Sequence, residues 1–445
     1  MARWLYAYTG FGFASQSALN TENTTDADFS YFAAEVEIPE ITRQVFDIAA
    51  KTGQVGAKQA PVVGARRANV KIKMPMYGFK RTFSSATEEP GVTDGVVSAA
   101  QVFLGLLLGS VDGTAMSATE IRKGKALGIS DFTTTFGATF ANNTVNAIPS
   151  ATTVTVQGGE GAKYKPGQMI AWGSSLTDAA QAVSWIKSIA VDTLTLVDAP
   201  GNTPQANDDG FPSVVAFQSF APPAPLTIRL LGPDAAFKIA LVGCIPVKGS
   251  ISAKAGEPPM VEIEFAAVNV VEYGSGGLAQ TLTVDPSLPG PLVGNGAGRL
   301  TWAAAGSAMA ALHGVTELKI DIENKINDVQ SHNTASGISE RAIVDREIKV
   351  TFAIPRSSSD TITSGSHAWD VAAVQGSSYQ MAVYGGSVPG TLMSIFLPAL
   401  HQFAPPKVVD RDGMVYDELQ FRCGVYTADS GSGPAVDSNA RIGWV

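Results

Sequence analysis

The stretch TELKIDIENKINDVQSHNTASGISERAIVDREIKVTFAIPR, residues 316–356, decides the fold. Leu318, Ile320 and Ile322 alternate with Lys319 and Asp321, and Ile348, Val350 and Phe352 alternate with Lys349 and Thr351. A period of two marks strands with one face in a core and the other in water. Between them, Glu323–Arg346 reads as a long loop carrying Ile326, Val329 and Ile338 among several charges. Loops of this length inside compact units are uncommon and usually interact with something. The two readings are a lid folded on its own domain and an arm reaching a neighbouring subunit.

Working outward, the same grammar occurs earlier. Ala34, Val36 and Ile38 alternate with Glu35 and Glu37, a loop of about thirty residues follows (Pro39–Ala68, with Ile41, Val45, Phe46 and Ile48), and Asn69–Phe79 alternates again. An apolar helix is predicted at Val96–Leu108 and a shorter one at His367–Gln375. Strands Leu226–Leu231, Ile239–Val242, Val247–Ala253 and Val261–Val271 in the first half match Tyr379–Tyr384, Leu392–Leu397, Gln402–Val408 and Val415–Tyr426 in the second. EIEFAAVNV (262–270) aligns with ELQFRCGVY (418–426) at an offset of 156, whereas Val70 aligns with Ile348 at 278. The chain is therefore a duplication, and the first copy is longer by 278 − 156 = 122 residues between those points.

That excess lies between the first helix and Leu226. Thr152–Val156, Gln168–Trp172, Val183–Ile189 and Thr193–Val197 read as short strands with Gly-rich turns, like a small SH3-like barrel. An autonomous unit of this kind belongs on a surface loop, where insertions are tolerated. The expected division is 1–132 plus 221–275 for a first unit, 133–220 for the insert, 276–298 for a linker, and 299–445 for a second unit. Met1–Ser30 has no counterpart in the second half and reads as an arm.

Composition narrows the function. Of 445 residues, 45% are hydrophobic and only 16% charged, against an average near 25%. Lys and Arg number 31 against 40 Asp and Glu, a formal charge of −9, which argues against binding through phosphate neutralisation. A weakly charged β-protein of this kind is one whose surface is largely covered by neighbours. Two cysteines, Cys244 and Cys423, form neither a zinc set nor a disulfide framework and read as buried thiols. The N-terminus lacks the pattern of a signal peptide, and Val96–Leu108 is too short to span a bilayer, so no membrane insertion is expected.

Chemistry is sparse. His313, His332, His367 and His401 are scattered, and no metalloprotease, hydrolase-elbow or phosphate-loop motif occurs. Asp410-Arg411-Asp412-Gly413 has its glycine at the fourth position rather than the sixth of a calcium loop, and reads as a hairpin turn. Glu35/Glu37 and Glu262/Glu264 each project from one strand face rather than opposing one another across a pocket. Neither an enzyme nor a cofactor is expected.

Residues 316–356, with the returning Asp345-Arg346 strand, resemble the central signature of phage tail tube proteins. APPKVVDRDGMVYDELQFRCGVY (404–426) resembles that family's closing hairpin, and residues 225–270 are similar to the equivalent hairpin of single-unit tube proteins. The resemblance covers both halves but not the insert. It implies a mainly β chain of two tandem sandwich or barrel units, each with a flanking helix, whose inner sheets join side by side in a ring. Six units usually make such a ring, so a duplicated chain implies three copies and pseudo-sixfold symmetry. The two long loops would then touch the adjacent ring, with Ile41, Val45, Phe46, Ile326, Val329 and Ile338 as contact candidates. Glu35, Glu37, Glu262, Glu264 and Asp321 would line an acidic lumen through which DNA passes without specific binding. The implied partners are the chain itself, a tape measure protein in the lumen, and tail terminator and baseplate hub proteins at the ends. The implied location is the virion tail, after synthesis in the host cytoplasm. The insert would decorate the outside, so deleting it should spare polymerisation. A competing reading is a baseplate or adhesin-type protein with a carbohydrate-binding insert, although Trp172, Trp185, Trp302 and Trp369 are dispersed.

Overall fold

The computed structural model describes residues 10–444 apart from 26–28, 47–61, 77–79, 82–94, 116–144, 175–181, 219–223, 232–237, 274–298, 357–376, 387–391, 431–436 and positions 33, 38, 97–98, 112–113, 207, 306, 335 and 412. The fold is mainly β. Counting strands of four residues or more, the first half supplies β1 (Gly10–Ser15), β2 (Glu40–Phe46), β3 (Val62–Pro75) and the helix α1 (Ala99–Leu108). A smaller sheet follows: β4 (Val145–Ser150), β5 (Thr153–Val156), β6 (Met169–Gly173), β7 (Ala182–Ala190), β8 (Thr193–Leu196) and β9 (Asp209–Pro212). The chain then returns through β10 (Val214–Gln218), β11 (Leu226–Leu231), β12 (Lys238–Lys254), β13 (Met260–Ala267) and β14 (Asn269–Tyr273). The second half holds β15 (Arg299–Ala304), β16 (Glu317–Gln330), β17 (Ile338–Pro355), β18 (Ser378–Gly385), β19 (Met393–Gln402), β20 (Lys407–Arg411), β21 (Met414–Cys423) and β22 (Arg441–Trp444).

Eight antiparallel strands run side by side in the order β2–β3–β13–β12–β16–β17–β21–β20. The first four and the last four are equivalent, and β12 pairs with β16 where they meet, from Lys248 opposite Glu323 to Lys254 opposite Glu317. The flanking strands repeat as well. β1 pairs with β11 as β15 pairs with β18, and both β11 and β18 carry a bulge in their next pairing, at Leu226/Ile228 and Tyr379/Met381. Gln16 N donates to Pro225 O and Ala305 N to Ser378 O at matching places. The N-terminal segment therefore does have a counterpart, β15, which the sequence does not reveal because GFGFAS and RLTWAA share only an apolar–polar rhythm.

Register corrects the alignment. Ile263 stands opposite Ile72 and Leu419 opposite Phe352, which sets the β3-to-β17 offset at 280 rather than 278. A slip of two keeps every side chain on its face, so the hydrophobic pattern alone does not detect it. The segments read as Ile239–Val242 and Val247–Ala253 are one strand, β12, bent at Gly243 and bulged at Pro246/Lys248. In the second half the equivalent path breaks between β19 and β20, where Pro405 and Pro406 lack the N–H a ladder needs.

The two long loops prove to be largely paired strands, residues 47–61 of the first lying outside the described residues. β2 pairs with β3 and β16 pairs with β17 as far as Gln330 opposite Ile338, so ladder bonds satisfy a backbone that was expected to be irregular. The helix begins at Ala99, and Val96 belongs to a two-residue strand instead. The expected helix at His367–Gln375 and the linker 276–298 lie outside the described residues.

α1 is apolar except at Gln101, and its described side chains are all buried, as suits a helix enclosed by the core. Phe103, Leu104 and Leu107 are fully buried, each contributing roughly 1.5–3 kcal/mol. A Cβ on Gly249 of β12 would lie 2.4 Å from Leu107 Cδ2, so this glycine lets the helix approach the sheet. Asn324 of β16 donates to Leu107 O (3.1 Å) and to Pro246 O (3.2 Å), binding the second half to the helix and sheet of the first.

The smaller sheet has the order β4–β5–β8–β7–β6–β9, and Val145 N donates to Asp208 O, drawing its two ends together. It ends at Pro212; β10 pairs with β22 of the main sheet, so the insert stops short of residue 220. It is also not loosely tethered. Met169, Ala171, Val183, Trp185 and Val197 share a core with Ala303, Ala382, Tyr384 and Phe396, and Trp185 Nε1 donates to Ser394 Oγ at 2.8 Å.

Candidate functional site

The eight-stranded sheet has one face in the core, through residues such as Ile72, Ile263, Ile320, Val350 and Leu419. The opposite face carries the polar members of each alternation. Glu35, Glu37, Glu262, Glu264 and Asp321 all fall on it, so the structure brings the five carboxylates onto one surface. It does not make that surface acidic. Lys73 Nζ lies 3.7 Å from Glu35, Lys71 Nζ 3.6 Å from Glu37, and Lys319 Nζ 2.9 Å from Asp321. In the ladder Glu262 stands opposite Lys73 and Glu264 opposite Lys71. The face expected to be acidic is thus mostly a lattice of alternating charge, in which opposite charges across a ladder stabilise; the exception is Glu323 opposite Glu347. Glu347 belongs to the same lattice; hydrogen bonding and charge from Lys349, then Arg422, hold its carboxyl below the usual glutamate range.

The loop candidates are distributed differently. Ile41 is exposed on β2, Val329 is exposed near the tip of the β16–β17 hairpin, and Ile326 is half-buried on β16. Val45 and Phe46 fall on β2, with side chains outside the described ones. Ile338 is a correction: it is fully buried, and its carbonyl accepts a 2.8 Å bond from Asn20 Nδ2. Together with the Arg341 bond to Ala266 O (2.7 Å), this folds the hairpin of the second half over the first half of its own chain.

The two ends of the sheet are β2, which carries the sequence candidates Ile41, Val45 and Phe46, and β20, which the sequence reading did not single out. Equivalent residues differ sharply in exposure. Ile322, at the internal seam, is 2% exposed, and its counterpart Ile41 on β2 is 37% exposed. Ile251, on the other side of the seam, is 2% exposed, and its counterpart Val408 on β20 is 53% exposed. The offsets between halves, once corrected for register, supply the signal that locates these pairs.

Among the described residues no group of three or more His, Cys, Asp or Glu is placed to hold a metal ion. Burial pushes the Cys244 thiol up to about 12, which keeps it protonated and unreactive at neutral pH. Among the described residues no helix is long and apolar enough to cross a membrane. Compared with known proteins, the chain matches no family model and none of the curated proteins.

Proposed function

We propose that this protein is a structural subunit that polymerises into stacked rings, the tail tube of a long-tailed phage, through which DNA leaves the virion. One observation carries the reading. Two equivalent four-stranded sheets join inside one chain at β12–β16, and among the described residues the same two edges, β20 and β2, pair with no further strand at its ends. Unpaired edges with exposed apolar residues are sites for another chain. Because β2 and β20 are different surfaces, their pairing is head to tail and generates a ring if the rotation closes. Three copies, giving six sheets, are the number the tube resemblance implies.

Charge supports the same match. Register sets Lys254 opposite Glu317 at the internal seam, and their counterparts at the sheet ends, Arg411 and Glu35, repeat the opposite signs. Within one chain Arg411 pairs with Glu317 and Glu35 with Lys73, and these pairs would exchange partners on assembly. The alternating charge of the polar face would then line the lumen. A surface with its lysines neutralised in place offers little counterion release to a passing duplex. A tape measure protein inside, with terminator and hub proteins at the ends, completes the set of proposed partners.

Negative-stain microscopy of the purified protein tests this. Rings or tubes with a central hole are expected. Monomers persisting at all protein and salt concentrations would refute it.

A further inference from the structure

The tube reading leaves open what distinguishes the seam inside a chain from the seam between chains, and the following inference rests on that reading. At the internal seam Asn324 is 2% exposed and points to the core side of the sheet, where it donates to Leu107 O and Pro246 O of the preceding unit. Its ladder partner Arg346 donates to Asn324 Oδ1 at 2.7 Å. Transferring the register to the first half puts Arg43 at the place of Asn324 and Arg66 at the place of Arg346, since Arg43 stands opposite Arg66. Arg66 is engaged elsewhere, by Glu272 at 2.8 Å. Arg43 is exposed.

The other side of the open seam carries a complementary group. Pro246 is matched in the second half by Gln402, because Phe265 stands opposite Pro246 as Phe421 stands opposite Gln402. Gln402 is 6% exposed and donates from Nε2 to Ala404 O, whereas its Oε1 is buried without a hydrogen-bond partner. A buried acceptor left unsatisfied costs about 1–3 kcal/mol and calls for a donor. A guanidinium has five N–H groups and no acceptor, which is what such a site lacks.

We infer that Arg43 of one copy enters the seam of a second copy and donates to Gln402 Oε1 there, replacing the neutral Asn324 contact of the internal seam with a charge-assisted one. The two seams are then chemically distinct. The covalent one reaches the preceding unit through the neutral Asn324 amide and is already formed in the monomer; the intermolecular one depends on a guanidinium at that place.

Sedimentation velocity across a protein concentration series tests this with Arg43→Ala, Arg43→Lys and Gln402→Leu. Arg43→Ala is expected to raise the concentration for half-assembly about tenfold or more, with the melting temperature of the monomer unchanged. Arg43→Lys should recover part of the loss, and Gln402→Leu should reproduce it. A variant with Arg43→Cys and Gln402→Cys provides a second measurement, expected to form intermolecular disulfides on oxidation. Arg43→Ala assembling at the wild-type concentration would overturn the inference alone, as would a double-cysteine variant that stays uncrosslinked while the wild type forms rings. A wild type that never assembles would overturn the tube reading and this inference with it.

Discussion

The buried carboxylate of Asp198 accepts a 3.0 Å hydrogen bond from the Arg299 guanidinium, and through this pair the small sheet is locked to the first strand of the second half. Ser184 and Tyr384 donate to the same carboxylate through Oδ1, and Thr301 Oγ1 donates to Oδ2 at 3.0 Å. An ionised group at zero exposure persists only with partners of this number. Asp198→Asn is therefore expected to destabilise the folded chain by about 3 kcal/mol, read as a lower urea midpoint at unchanged slope. A midpoint equal to that of the wild type would show that the cluster does not hold the two sheets together.

The same cluster sets a pH limit. Burial first, then the charge of Asp198, hold the Tyr384 hydroxyl well above its ordinary value of 10.0. The folded state therefore keeps a proton that the unfolded chain releases first. Its contribution is complete below the ordinary tyrosine range and declines as pH rises through it and beyond. Thermal melts from pH 8 to 11 should show a loss of stability above about pH 10 that Tyr384→Phe reduces.

Removing the small sheet tests how far it is separable. Replacing 145–212 with a short flexible linker would bare Ala382, Tyr384 and Phe396, which that sheet covers. The expected outcome is an aggregating or molten chain, visible as dye binding and loss of a cooperative melt. This reverses the expectation of an independent external decoration; a well-folded, polymerising deletion variant would restore it.

Gly243 is a backbone test of β12, the strand that joins β11 and β14 to β13 and β16. Its φ is +67°, and a Cβ there would lie 2.4 Å from Leu19 O and 2.5 Å from Val268 Cγ2. Gly243→Ala should cost at least about 2 kcal/mol, from the left-handed backbone and the clash combined. Gly413, with φ +78° and open space around its Cβ position, is the control: there only the backbone term applies, about 1 kcal/mol.

At the free edge, Val408→Asp places a charge on an exposed strand of the monomer. Monomer stability should change by less than about 0.5 kcal/mol, as for other surface substitutions. Assembly should be abolished, because the counterpart Ile251 is 2% exposed at the internal seam. Light scattering under conditions where the wild type polymerises reads the difference, and undiminished scattering would show that β20 is not an interface.

Much of this was legible in the residues. Alternation at Leu318–Ile322 and Ile348–Phe352, the Asp410–Gly413 turn, and the four central strands of the small sheet all follow from side-chain period and turn chemistry, which are local properties. The duplication followed from comparing those local patterns along the chain. Three things did not. The ladder pairing of Glu40–Phe46 with Val62–Ala68, and of the two arms of Glu323–Arg346, was hidden because their charges and small polar residues resemble those of loops. The buried state of Ile338 belongs to a long-range contact, in which its carbonyl is bound by Asn20, 318 residues away. The balance of the polar face depends on which lysine a ladder places beside each carboxylate.

The sequence by itself therefore determined that this is a mainly β chain, twice repeated, with an inserted third piece, because burial periodicity is written residue by residue. The tertiary structure alone decided that the two repeats merge into one sheet at β12–β16, that the insert is fixed through Asp198, and that Ile41 and Val408 remain uncovered. Those outcomes depend on long-range register and shared burial, where each residue's environment is set by partners that no local pattern names.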